Sequence, residues 1–74
     1  MIGLDSTVRL AAPGGAYPIW GNPEQTVYVE AWWAGAVVTI ESGTHCAVDF
    51  RQYCPFVVVV PMADLVIAEL TDEP

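Results

Sequence analysis

Apolar residues recur at every second position along most of the chain, the period of a half-buried strand. Ile2, Leu4, Val8 and Leu10 share one face, and Gly3, Asp5, Thr7 and Arg9 take the other, so a first strand is expected within residues 2–10. Residues 11–23 then carry three prolines and three glycines, which reads as a loop outside any regular ladder. Alternation resumes from Thr26 to Trp33 and again from Ala36 to Glu41. Ala34-Gly35 between them leaves two readings open, one long bent strand or a tight hairpin, because a glycine within a strand pattern marks a bulge or bend. Ser42-Gly43-Thr44 is a turn, His45 to Phe50 a fourth strand, and Arg51 to Pro55 a short connection. Phe56 to Val60 is a β-branched run of the kind buried on both faces, bounded by Pro55 and Pro61. Residues 61–64 suit one helical turn. Leu65 to Leu70 suits a closing strand, although MADLVIAEL also has respectable helix propensity.

Five or six short strands, with turn signals about every eight to twelve residues, define an all-β chain. A sandwich needs more strands than this length supplies, and a small antiparallel barrel protects its own edges. The chain of 74 residues is read as one domain over residues 1–70 with an acidic, frayed tail at 71–74. A chain this short buries only about 60% of its unfolded surface. Yet 54% of its residues are hydrophobic and the mean hydropathy is +0.43. Surplus apolar surface of this sort marks an interface, so a homo-oligomer is expected.

Charge narrows the partners. Nine acidic residues face only Arg9 and Arg51, for a net charge of −7. Direct nucleic-acid binding requires lysines and arginines to neutralise phosphates, and an anionic membrane surface makes the same demand; neither is expected. The N-terminus lacks a basic start and a long apolar run, and Phe56 to Val60 is too short to span a bilayer. A cytoplasmic location follows as the expectation, with Cys46 and Cys54 as reduced thiols. The surplus of carboxylates serves solubility; an acidic protein can also imitate nucleic acid toward a basic partner.

The stretch from Val27 to Leu65 resembles SH3-like barrels, and most nearly the type II, plasmid-borne dihydrofolate reductases. The pieces that carry the resemblance are Ala31-Trp32-Trp33-Ala34-Gly35-Ala36-Val37-Val38, Ala47-Val48-Asp49, Val57-Val58-Val59-Val60-Pro61 and Met62-Ala63-Asp64-Leu65. The resemblance implies a small barrel with one helical turn before the last strand, and assembly of barrels into a ring. It does not carry the activity. That family builds its site from a Val-Gln-Ile-Tyr run and a lysine. Val57 to Val60 stand at the matching positions, and the chain has no lysine. Valines leave polar groups of a pteridine or nicotinamide unpaired, at heavy cost. A second resemblance, to Tudor-like domains, rests on Tyr28, Trp32 or Trp33, Gly35, Val48-Asp49-Phe50 and Tyr53. It implies aromatic walls that hold a methylated cation.

Candidate contact residues follow from these patterns. Tyr28, Glu30 and Trp32 alternate, so on a strand they would share one face, and aromatics concentrate at binding hot spots. Tyr17 and Trp20 lie in the long loop, and Tyr53 in the last connection. Trp33, Phe56, Val58 and Val60 are expected to form subunit contacts. His45 and Cys46 are adjacent and would point to opposite faces, and two cysteines with one histidine fall short of a structural zinc site. A Cys46–Cys54 disulfide is disfavoured by the expected hairpin register. No carboxylate pair, phosphate loop or nucleophile motif points to catalysis. The expected function is therefore a non-enzymatic, self-associating interaction module without metal or cofactor, which recognises a protein or small ligand. The alternatives are a small-molecule binder with an inter-subunit pocket and an acidic mimic of nucleic acid. By analogy alone, such compact modules serve as accessory proteins of mobile elements or phages.

Overall fold

The computed structural model describes residues 2–11 and 13–68. Its strands are β1 (Thr7–Leu10), β2 (Gly15–Ile19), β3 (Asn22–Val29), β4 (Gly35–Ile40), β5 (His45–Asp49), β6 (Val57–Pro61) and β7 (Leu65–Ile67), with a 3-10 turn over Met62–Asp64. All seven belong to one antiparallel sheet in the order β3-β2-β6-β5-β4-β1-β7. The all-β class and the single helical turn before the last strand agree with the sequence pattern. The strand count is higher than expected. No helix among the described residues is long and apolar enough to cross a membrane. The tail at 71–74 and the last two residues of the expected closing strand lie outside the described residues.

One core lies inside the curl of this sheet. Val8 and Leu10 from β1, Val29 from β3, Val37 from β4, Cys46 and Val48 from β5, Val58 and Val60 from β6, and Leu65 from β7 form it with Phe50, the largest side chain fully buried. Tyr17 of β2 packs against the same cluster, so every strand contributes. A flat lone sheet would leave both faces in solvent, so side chains at 0% exposure on most of its strands require the sheet to curl over them. The Tyr17 hydroxyl of β2 donates to Asp64 Oδ2 in the 3-10 turn at 3.1 Å, while Ala11 N–H donates to the Asp64 carbonyl at 2.7 Å.

Four local expectations change. The expected first strand is cut short because Asp5 takes a left-handed backbone (φ 68°) in a turn over Gly3–Ser6; only residues 7–10 continue as strand, and Leu4 is exposed. The presumed loop at 11–23 instead contains β2 and the start of β3. The two are joined by Trp20-Gly21, where Gly21 supplies the positive φ that a tight hairpin needs. Pro18 is tolerated because β2 is paired with β6 only at Ile19–Val58, so no ladder bond on that side needs its missing N–H. The second strand is shifted toward the N-terminus and ends at Val29, which puts Trp32 and Trp33 in a turn. Finally, β3 and β4 are neither a hairpin nor one bent strand; they are separate and do not pair. The bulge falls at Val38 instead, where the β4–β5 register shifts between Val37 and Thr39.

Gly35 earns its place through close packing. A Cβ built there would lie 2.6 Å from Phe50 Cδ1, 2.8 Å from the Asp49 carbonyl and 2.8 Å from Val48 Cγ1. The β4 backbone thus runs directly over the Phe50 ring.

Candidate functional site: an aromatic cluster beside a shallow groove

The turn after β3 and the connection after β5 meet at one end of the sheet. Trp33 N–H donates to the Glu30 carbonyl at 3.2 Å, which closes the first turn. Tyr53 and Cys54 N–H donate to the Phe50 carbonyl at 2.8 and 3.0 Å, which closes the second. These turns bring four rings into contact. Trp33 and Tyr53 are stacked, with centroids 5.1 Å apart and planes within 9°. Trp32 stands edge-on to both, at 6.2 Å from Trp33 and 5.3 Å from Tyr53. Trp33 also lies 5.9 Å from the buried Phe50. Phe50 is therefore the floor, Trp33 the half-buried middle layer, and Tyr53 and Trp32 the exposed top. Trp32 is 65% exposed.

The rings fill one another's space. Aromatic pairs in contact have centroids about 4.5–7 Å apart, and at 5.1 Å the Trp33–Tyr53 pair leaves no room for a cation between its faces. The cluster is a solid platform rather than an open cage.

A shallow groove of about 390 Å³ adjoins it, lined by Thr7, Ala34, Gly35, Ala36 and Val38 on one side and Asp49, Arg51 and Gln52 on the other. The platform rings do not line this groove; the two share the same turns, where Ala34 follows Trp33 and Gln52 precedes Tyr53. Arg51 Nε donates to Asp49 Oδ2 at 2.8 Å, and Nη2 donates to the same oxygen. The Asp49 carboxylate pushes the Arg51 guanidinium pKa further up, so the fork stays charged and oriented. Its remaining N–H groups are available at the groove rim, since the arginine side chain is 82% exposed.

The structure separates the other candidates. Tyr17 is half-buried against the core, with its hydroxyl bonded to Asp64. Trp20 sits at the hairpin tip, where its N–H donates to the Val57 carbonyl at 2.8 Å. Tyr28 is exposed on β3, with its hydroxyl end over Gly14. Glu30 lies in the turn, so Tyr28, Glu30 and Trp32 do not share a strand face. Among the described residues, the rings of Tyr17, Trp20 and Tyr28 stack on no other ring. Val58 and Val60, expected at a subunit contact, are 0% exposed and belong to the chain's own core. The burial expected on both faces of this run is complete on one only, since Val57 and Val59 are half-buried. Phe56 stays exposed, and Trp33 proves to be the middle of the platform. Sequence reading missed Phe50 as the floor, and it missed the Asp49–Arg51 pair. The spacing of that pair across the end of β5 was the available signal.

Two titratable groups report on the packing. Burial, the hydrogen bond to Asp64 and the charge of that carboxylate together raise the Tyr17 pKa above its ordinary 10.0, in that order of size. The folded state therefore keeps this proton after the unfolded chain has lost it. The resulting stabilisation is complete below pH 10 and is lost as pH climbs through the raised value. An ultraviolet phenolate titration should show a late ionisation step that disappears in Tyr17→Phe. Persistence of the late step in that variant would refute the assignment. Burial likewise raises the Cys46 thiol pKa, whereas Cys54 is half-buried; both cysteines are free. A colorimetric thiol reagent should label Cys54 in the native protein and Cys46 only on unfolding. Equal labelling rates would contradict the buried position of Cys46.

Comparison with protein-family models, curated proteins and solved structures finds no match to this chain.

Proposed function

We propose that the chain is a non-enzymatic binding module whose contact surface is the Trp32–Trp33–Tyr53 platform with the groove beside it, and whose partner is another protein. The observation that carries this reading is the stacking of three large rings on a buried fourth, with the topmost tryptophan mostly in solvent. Packing alone does not call for Trp32 at the surface, since the core beneath is already closed by Phe50 and Trp33. Tryptophan and tyrosine dominate binding hot spots because they supply large contact area with few torsions to freeze. Rings already locked against each other lose less freedom on binding. The groove adds an apolar strip, a charged fork and the Gln52 amide. Such a mixture suits a protein segment that presents an apolar side chain and a hydrogen-bond acceptor.

The test is comparative capture by the tagged protein and its variants from cell extract, quantified by mass spectrometry. Trp32→Ala and Tyr53→Ala should reduce recovery of the specific partner at least about tenfold, the effect of losing roughly 1.4 kcal/mol or more, while Trp20→Ala keeps it. Equal recovery by wild type and Trp32→Ala would end this reading.

Exposed Val38, Ile40, Phe56, Val66 and Ile67 support a second reading, association with a second copy. Sedimentation velocity decides it: a dimer that Ile67→Lys or Val38→Lys dissociates supports it, and a monomer at high concentration excludes it.

A further inference from the structure

β3 is one end of the sheet and the longest strand in it. Among the described residues it pairs only with β2. An unpaired edge presents a row of N–H and C=O groups to any other chain. Proline identifies which groups point outward. In an antiparallel ladder, residues that exchange both bonds alternate with residues that exchange none. Pro18 has no N–H, so the Pro18–Thr26 pair must be of the second kind. Thr26, and by alternation Tyr28, therefore turn their N–H and C=O away from β2 toward the free edge. Both residues are exposed. Pro23 and the register shift at Pro18/Ile19 blunt the start of the strand, which leaves this short stretch open.

Charge selects the occupant. Glu24 and Glu30 bracket the stretch across about 20 Å of extended chain, and no lysine or arginine occurs between residues 10 and 50. A second copy would fit poorly. The antiparallel register that uses Thr26 and Tyr28 of both chains brings Glu24 of each to the strand end of the other, where Glu30 opens the turn. Like charges in opposed positions destabilise a strand pair, and each chain carries a net −7.

We propose that the β3 edge accepts an extended, lysine- or arginine-bearing segment of a partner protein as an added strand, through the backbone groups of Thr26 and Tyr28. Cationic side chains would lie beside Glu24, Glu30 and the Tyr28 ring. The segment makes no use of the Trp32 platform, so this edge and the platform stand or fall separately.

The experiment titrates the isotope-labelled full chain with a short capped peptide of alternating lysine and valine and follows amide hydrogen exchange. Exchange at Thr26 and Tyr28 should slow roughly tenfold near saturation, and the effect should fade with added salt. Trp32→Ala should preserve the effect. Thr26→Pro should remove it while keeping the native spectrum, because proline is tolerated where an edge N–H faces solvent. Should that variant fail to fold, a peptide N-methylated at alternate residues tests the same bonds on wild type and should not bind. Unchanged exchange at both amides would overturn the proposal, as would equal binding of the N-methylated peptide or of an alternating glutamate–valine peptide. Protection without peptide that grows with protein concentration would give the edge to a second copy and overturn it equally.

Discussion

Gly35→Ala is expected to lower stability by about 1–3 kcal/mol and the melting temperature by roughly 4–20 °C. The added methyl has nowhere to go. Two of its three nearest neighbours belong to fully buried side chains, Phe50 and Val48, and the third is the Asp49 backbone carbonyl, all at 2.6–2.8 Å. Relief requires β4 to move off β5 or the Phe50 ring to tilt, and either shift propagates to Trp33 above it. Gly43→Ala is the matched control. Nothing lies within 4 Å of a Cβ there, and its backbone is not left-handed, so the melting temperature should hardly change. Thermal unfolding followed by circular dichroism compares the two. Equal melting temperatures would show that β4 does not press on Phe50 as described.

Phe50→Ala should cost more, about 3–5 kcal/mol, through lost burial and the cavity left behind. For a chain of this length the whole stability is roughly 4–11 kcal/mol, so the variant is expected to unfold at or near physiological temperature. Phe50→Leu separates the two roles of this ring. It keeps most of the volume and should cost under about 1.5 kcal/mol, yet it removes the aromatic floor under Trp33. A folded Phe50→Leu protein should therefore show red-shifted tryptophan emission and weaker partner capture than its modest loss of stability would give. Full capture with unaltered emission would mean that the platform does not depend on its floor.

How much of this was legible beforehand follows from the range of the interactions involved. β4, β5, β6 and the 3-10 turn were visible because alternation and proline punctuation are local, and their limits moved by no more than about a residue. β2 was hidden because Pro18 and the glycines before it carry loop signals. The ladder tolerates them only because β2 meets β6 at a single position, a fact of tertiary pairing. The end of alternation at Asp5 was invisible for a similar reason: its left-handed backbone belongs to a turn closed by Ser6 and Gly3. Trp32 and Tyr53 were both picked out as contact residues, but their contact joins two turns far apart in sequence. The alternation of Tyr28, Glu30 and Trp32 suggested a false face because the strand stops before Trp32. The unbroken apolar run at 56–60 suggests burial on both faces, but only Val58 and Val60 are buried; Val57 and Val59 are half-buried and Phe56 is exposed, because the outer face of β6 is only partly covered.

The platform is assembled in the free protein, with Trp33 against Tyr53 and Phe50 before any partner arrives. Two-dimensional nuclear Overhauser spectroscopy of the free protein tests it directly. Cross-peaks are expected from the Trp33 indole to both the Tyr53 and Phe50 rings, with Tyr53 ring protons shifted by the stacked indole. Random-coil shifts for Trp33 and Tyr53, with no cross-peak between them, would contradict it.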